Sequence, residues 1–259
     1  MAVVTGVSRR IGIGFAIAKR LLRDGADVLI QGWPQHDLEQ PWGADGAGWE
    51  GMVAELRDGL PEAAGRLEGL PADFAEAAAA ATVIDTAVER LDRPDILIAN
   101  HARSSAQDLA SLTVAELDAS WAVNVRATLL LVQAFAFLHA EGEAGTPRGR
   151  VVLLTSGQHV GPMPDEIPYA LTKGALQQIT TTLAKALVER GITVNCVNPG
   201  ATDTGYATDE ERTAVARRHP RGRWGQPDDA ARLIAWLCSD QARWLTGQTL
   251  VSDGGLYLG

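Results

Sequence analysis

The stretch Thr5-Gly6-Val7-Ser8-Arg9-Arg10-Ile11-Gly12-Ile13-Gly14 decides the fold. It follows a short apolar run, Ala2–Thr5, and leads into an Ala/Leu-rich stretch, Phe15–Arg23. It therefore reads as the turn from a first strand into a first helix. Glycines there let backbone approach a pyrophosphate, and the helix N-terminus adds unpaired N–H groups and a positive dipole end. A glycine-rich turn alone is equally compatible with a plain tight turn. Its place after the first strand of an alternating chain favours a dinucleotide, although the spacing departs from G-x-G-x-x-G.

Outward from that turn, short β-branched runs alternate with helical stretches. Expected strands are Ala2–Thr5, Asp27–Gln31, Arg66–Leu70, Ile96–Ala99, Val151–Thr155, Thr193–Val197 and Thr249–Val251. Several are nearly continuous apolar runs, as in a sheet covered on both faces. Expected helices are Phe15–Arg23, Ala75–Arg90, Val114–His139, Ala170–Arg190 and Asp228–Ser239. This alternation predicts an α/β fold of right-handed βαβ crossovers, with a seven-stranded, parallel, doubly wound sheet in one domain, 1–259. Two segments break the rhythm: Gly32–Gly51, which carries Trp33, Trp42 and Trp49, and the Arg-rich Asp203–Gly225. Loops of that length in a compact domain are usually functional or mobile.

The bulk numbers exclude several classes. With 46% hydrophobic and 21% charged residues, the chain is of ordinary globular composition. A formal charge of −9 argues against nonspecific nucleic-acid binding, which needs many cationic contacts to phosphates. Cys196 and Cys238 sit in apolar stretches and read as buried, unpaired thiols. No spacing suggests a metal site, and no run of about 18 apolar residues suggests a membrane span. MAVVTG lacks a basic n-region with a long h-region, so no signal peptide is expected and the cytoplasm is the default.

Arg9 and Arg10 in the first turn read either as solvated charges or as a clamp on the 2′-phosphate of NADP. NAD enzymes place an acid near the end of the second strand for the ribose 2′-OH. Here that strand ends Leu29-Ile30-Gln31-Gly32-Trp33, and the nearest acid, Asp37, lies beyond Pro34. Both observations favour NADP(H) over NAD(H).

Ser156 closes the fifth strand, Tyr169 follows thirteen residues later, and Lys173 four after that. Tyr and Lys at i and i+4 share one helix face. Tyrosine's reference pKa of about 10 is too high for base work at neutral pH. Lowering it to about 7 requires roughly 4 kcal/mol of preferential stabilisation, much of which a nearby ammonium in a partly dry cleft supplies. Ser156 is placed to hydrogen-bond a substrate oxygen opposite Tyr169. A lone Tyr-x-x-x-Lys pair is common on helices; the serine and the glycine turn give this one its meaning.

These motifs together resemble the short-chain dehydrogenase/reductase family over essentially the whole chain. The tail GRWGQPDDAARLIAWLCSD…WLTGQTLVSDGG is similar to the beta-ketoacyl-acyl-carrier-protein reductase branch. The resemblance implies a Rossmann-type domain, with Ser156, Tyr169 and Lys173 as catalytic triad and Asn124 holding a water in a proton relay. It implies that Asn198-Pro199-Gly200 and Thr204 lie against the nicotinamide carboxamide and Asp73 near the adenine. The expected cofactor contacts are Gly6, Ser8, Arg9, Arg10, Gly12, Ile13, Gly14, Trp33, Asp73, Phe74, Asn100, His101, Ala102, Tyr169, Lys173, Pro199, Gly200, Thr202 and Thr204. The chain departs from the family's pattern in three places. The first turn is two residues longer than Thr-Gly-x-x-x-Gly-x-Gly. Ala99-Asn100-His101-Ala102 replaces Asn-Asn-Ala-Gly. The Trp-rich Gly32–Gly51 segment is longer than usual.

The implied reaction is NADP(H)-dependent reduction of a ketone to a secondary alcohol, or the reverse, with a 3-oxoacyl thioester among the candidate substrates. Gln158, His159, Met163 and Tyr206 are the expected substrate contacts, and residues 203–225 the expected lid. For His159, an exposed loop histidine is an equal reading. Arg212, Arg217, Arg218, Arg221 and Arg223 fit either an anionic or carrier-bound substrate or a solvated helix face. A homotetramer is the family expectation. Two other classes are weighed: a non-catalytic NADP-binding sensor, disfavoured because Tyr169 and Lys173 are both present, and a dehydratase or epimerase, disfavoured because no larger C-terminal substrate domain follows.

Overall fold

Strand residues that alternate in sequence point to opposite faces of a sheet, so continuous apolar strands must be covered on both sides. In the computed structural model, which describes residues 1–139 and 148–258, that condition is met by a doubly wound sandwich. The elements are β1 (Ala2–Val4), α1 (Ile13–Arg23), β2 (Val28–Gly32), α2 (Pro34–Leu38), α3 (Gly48–Arg57), β3 (Leu67–Pro71), α4 (Ala79–Arg90) and β4 (Ile96–Ala99). There follow α5 (Val114–Trp121), α6 (Ala127–Phe137), β5 (Gly149–Leu154), α7 (Ile167–Leu187), β6 (Ile192–Asn198), α8 (Asp209–Arg218), α9 (Pro227–Cys238) and β7 (Thr249–Val251). The seven strands pair in parallel in the order β3-β2-β1-β4-β5-β6-β7.

The two faces separate residue by residue. Val4, Ile30, Ile98, Val152 and Leu154 join Phe15, Ile17 and Leu22 of α1, Met52 and Leu56 of α3, and Ile234 and Leu237 of α9. Their sequence neighbours Val3, Leu29, Leu97, Val151 and Leu153 join Val83 and Ile84 of α4, Leu131 and Phe135 of α6, and Leu187 of α7. The cysteines are unpaired. Burial pushes the Cys196 thiol up to about 11 and the Cys238 thiol up to about 12, so both are poor nucleophiles.

All seven expected strands form, within two residues at each end. The helices differ more. The expected 75–90 helix begins only at Ala79, because Asp73 accepts the Ala75 N–H at 2.8 Å and a turn precedes the helix. The expected 114–139 helix is α5 and α6 joined by a π-helical turn, Ala122–Arg126. By length and composition Val114–Phe137 passes as a membrane-crossing helix, but half of that window is buried, and its apolar side packs against α4. Helix α7 starts three residues earlier than expected, with Pro168 in its first turn, where no N–H is required.

Among the described residues, three α-helices lie outside the expected set. Helix α2 starts at Pro34, and α3 buries Met52, Val53 and Leu56, so part of Gly32–Gly51 is helical. Helix α8, inside 203–225, begins with a capping box between Thr208 and Glu211.

The strand order reverses at β1 and β4, which opens a crevice beyond their C-terminal ends. Gly14 sits at that point. A Cβ there would lie 2.5 Å from the Gly6 carbonyl oxygen and 2.7 Å from Asn100 Nδ2. Neither neighbour is free to move, since Asn100 Nδ2 donates to the Thr5 and Gly6 carbonyls at 3.0 Å. Gly14→Ala is expected to cost about 2 kcal/mol or more, as overpacking against backbone does. Urea unfolding reads it as a lower midpoint at unchanged slope; an unmoved midpoint would contradict the close approach.

Candidate active site

The crevice is floored by the first turn. Gly6 adopts φ +71°, a region that a side chain disfavours, and α1 begins at Ile13 with no side chain capping its first N–H groups. Glycine cradle and uncapped helix end fit the phosphates of a dinucleotide. The cavity here measures about 460 Å³. Of the residues expected at the cofactor it gathers Gly6, Ser8, Arg9, Gly12, Ile13, Trp33, Asp73, Phe74, Asn100, His101, Ala102 and Thr204. Gly14 backs the cradle without lining it. Pro199, Gly200 and Thr202 lie outside the lining, where Thr202 Oγ1 donates to the Pro199 carbonyl at 3.1 Å.

The charges in this cavity differ from the sequence expectation in two ways. Arg10 does not face it: its Nε pairs with Asp45 at 2.9 Å on the exposed side of the turn. Asp37, expected to lie away in a loop, is returned to the cavity wall by α2 and is only 7% exposed. It accepts hydrogen bonds from Ser8 Oγ and, at 3.1 Å, from Trp42 Nε1, and pairs with Arg9 Nε at 3.3 Å. Arg9 also stacks over the Trp42 ring, 5.5 Å from its centroid. Pro34 at the first helical position was the available signal for α2.

Other lining residues escaped the sequence reading: Gln31, His36, Glu39, Arg103 and Val123. His36 Nε2 is buried without a partner, and burial lowers its pKa. Arg103 makes a two-pronged pair with Glu116, both contacts 2.8 Å.

His101 is a core residue as much as a cavity residue. It is 6% exposed and lies against Phe74, ring centroids 4.3 Å apart. Its Nε2 faces the Val123 carbonyl at 3.0 Å, which only accepts, so Nε2 carries the proton. Nδ1 then accepts from Thr5 Oγ1 at 2.7 Å. Burial, aided by the Lys173 charge, lowers its pKa to about 3, so the ring stays neutral.

Outside the cavity lining, α7 carries Tyr169 and Lys173 on one face, and Ser156 follows β5. Ser156 stands close enough to the Tyr169 phenol to favour its ionised form, though burial outweighs it. Lys173 Nζ donates to the Leu154 carbonyl at 2.9 Å and lies 5.7 Å from the Tyr169 ring centroid. The sequence expectation was a phenol pulled down by Lys173. Instead burial raises the Tyr169 pKa, with Ser156 opposing, and burial lowers Lys173 to about 8. The resting phenol is therefore neutral and suited to giving a proton.

Asn124, in the π-helical turn, is fully buried. Its Nδ2 donates to the Arg103 carbonyl at 3.1 Å and to Thr172 Oγ1 at 2.9 Å, and its Oδ1 accepts from Arg103 N at 2.6 Å. It thus ties the α5–α6 turn to α7 beside the tyrosine. Gln158 does not present a free amide to a substrate. Its Oε1 accepts from Ser156 N, and its Nε2 donates to Thr155 and Gln177, so it braces the serine. His159 is exposed with Nδ1 3.1 Å from the Ser156 carbonyl, and Met163 lies half-buried in the turn before α7. Tyr206, in the segment before α8, meets the rings of Trp42 and Trp224 in T-shaped contacts. Of the arginine cluster, Arg212 pairs with Asp203 and Asp209 and Arg223 with Asp229, while Arg217, Arg218 and Arg221 are exposed.

Comparison with known proteins agrees with this geometry. A family profile described as enoyl-(acyl carrier protein) reductase matches residues 6–257. The chain is 38% identical over 259 residues to an uncharacterized oxidoreductase, YjdA, of Bacillus subtilis, covering all of this chain and 97% of the relative. A short-chain dehydrogenase/reductase from Serratia marcescens superposes with TM-score 0.83 at 29% identity, over 99% of this chain and 97% of that one. Acetoin dehydrogenase YohF from Salmonella typhimurium superposes with TM-score 0.81 at 28% identity, over 100% and 98%.

The neutral His101 makes an acid-stability prediction. Below pH 6.5 the unfolded chain takes up a proton that the native ring refuses until about pH 3. Native stability therefore falls as pH drops through that window, by up to about 1.4 kcal/mol per pH unit from this group. His101→Gln should flatten the slope of unfolding free energy between pH 6 and about 4. Parallel slopes for variant and wild type would show that the ring titrates freely.

Proposed function

The chain belongs to the short-chain dehydrogenase/reductase family, and on that premise we propose that it is an NADP(H)-dependent oxidoreductase interconverting a ketone and a secondary alcohol. One observation carries the proposal: Tyr169 and the buried Lys173 share a face of α7, Nζ 5.7 Å from the ring centroid, with Ser156 just past the end of β5, at the same strand ends as the glycine cradle.

Gly6, Gly12 and the α1 N-terminus would hold the diphosphate, and Asn100, His101 and Thr204 would flank the remainder. When bound, the nicotinamide supplies or accepts the hydride. In reduction Tyr169 Oη gives its proton to the developing alkoxide, and Ser156 Oγ would donate a hydrogen bond to that oxygen. The phenolate left behind faces the Lys173 ammonium, the cation able to stabilise it. Asn124 holds α7 and the α5–α6 turn in register and would carry the relay through its second Oδ1 lone pair. Oxidation uses the same groups in reverse.

Arg9, a cation in the cavity wall beside the first turn, supports NADP(H) as cofactor, on condition that a 2′-phosphate replaces Asp37 as its partner. Arg217, Arg218 and Arg221 on the lid leave a carrier-bound or otherwise anionic substrate open. Exposed Leu109 before α5, and Val114, Trp121, Phe137 and Leu171 on α5–α7, with Trp244 and Leu258 near the C-terminal edge, favour a homotetramer. The cytoplasm is its proposed compartment.

Tyr169→Phe keeps the ring and loses only the proton. The variant should bind NADPH, followed by nicotinamide fluorescence, within about threefold of wild type, while turnover with a ketone panel falls by at least about 100-fold. Retained turnover in this variant would remove Tyr169 from the reaction.

A further inference from the structure

Two features of this chain without a role so far are the lengthened first turn and the Trp-rich segment after α2. They meet the lid from the same side. Trp42 Nε1 donates to Asp37 at 3.1 Å, and the Trp42 face carries the Arg9 guanidinium. Both partners line the nucleotide cavity. The other edge of Trp42 meets the Tyr206 ring, centroids 6.5 Å apart at 65°. Tyr206 in turn meets Trp224, centroids 6.1 Å apart, whose Nε1 donates to the Arg212 carbonyl of α8 at 3.1 Å. An aromatic chain thus runs from the cavity wall to the helix of the lid. A second contact lies beside it. The Ile11 side chain occupies the space a Cβ would need at Gly205, which adopts φ +81°.

The lid has a fixed base, and His219 ties its far end to the Asp253 carbonyl, the ring nitrogen 2.9 Å away. Its ends are joined where Asp203 N donates to the Gly225 carbonyl and Gly225 N to the Ala201 carbonyl, both at 2.8 Å. Tyr206 itself is half exposed and makes ring contacts with Trp42 and Trp224. Burial, and then the nearness of Tyr169, disfavour ionisation of the Tyr206 phenol.

We propose that Trp42 is a positioning residue that couples occupancy of the nucleotide cavity to the placement of the lid over Ser156 and Tyr169. The inference rests on the cofactor reading given above. Phosphate or ribose groups that engage Arg9 or Asp37 act on the two contacts that orient the indole. The indole edge then sets Tyr206, and Tyr206 sets α8. A contact made only in one lid position transmits that preference, and by linkage the lid returns it to the cofactor.

Hydrogen exchange of the full chain, read by mass spectrometry over 203–224, tests this without turnover. With saturating NADPH, wild-type lid amides should exchange at least about fivefold more slowly, the lower end of ordinary coupling between sites. Trp42→Ala and Tyr206→Ala, also saturated, should lose that slowing, while amides of α7 respond as in wild type. The double variant should be no worse than either single one, because both break one chain of contacts. Trp42→Phe, which keeps an aromatic edge, should retain part of the response. Wild-type slowing in a saturated Trp42→Ala would overturn the inference, as would a saturated wild type whose lid does not respond. A wild type that fails to bind NADPH would overturn the function proposed above, and this coupling with it.

Discussion

Two backbones meet where β1 and β4 end, and only glycine lets them meet. A Cβ on Gly6 would lie 2.6 Å from the His101 Cα, and one on Gly14 would lie 2.5 Å from the Gly6 oxygen. That contact draws the start of α1 down onto the sheet ends, at the point where strand order reverses. The glycine cradle, the Asn100 hydrogen bonds and the floor of the cavity all follow from it. Ser156, at the end of the neighbouring β5, is delivered to the same rim.

Behind the rim lies a set of buried polar side chains that fit only one arrangement. Thr5 bonds His101, Asn124 bonds Thr172, and Thr155 donates to the Lys173 carbonyl at 2.9 Å. Each of these groups would cost a few kcal/mol if left unpaired, so together they specify position more than they add stability. Lys173 illustrates the cost: burial brings its pKa to about 8, and its ammonium donates to the Leu154 carbonyl at 2.9 Å. At the nucleotide end the opposite solution is used. Arg9 and Asp37 neutralise each other within the cavity wall, so a ligand must exchange for a partner already in place.

How much was legible in the sequence depended on the range of the interaction. Strands were legible because each is an apolar run set by its own residues. The Tyr169–Lys173 face was legible because helical spacing is local, and Ser156 because it ends a strand. Asp37 was not: Pro34 reads as a breaker, yet it opens α2 and swings the carboxylate back to Ser8, twenty-nine residues away in sequence. Arg10 was misjudged for the same reason, since Asp45 lies thirty-five residues on. Gln158 looked like a substrate contact because it follows Ser156, but its partner Gln177 is a helix turn beyond Lys173. The π-helical turn around Asn124 leaves no mark in an apolar helical run.

The central claim is that hydride passes between a nicotinamide and a carbonyl carbon held at Ser156 and Tyr169. Its most direct measurement uses NADPH deuterated at both C4 positions, with a ketone that the wild-type enzyme reduces. The account predicts an alcohol bearing a single deuteron on its carbinol carbon, seen by mass spectrometry and NMR. An alcohol that forms without deuterium at that carbon would contradict it.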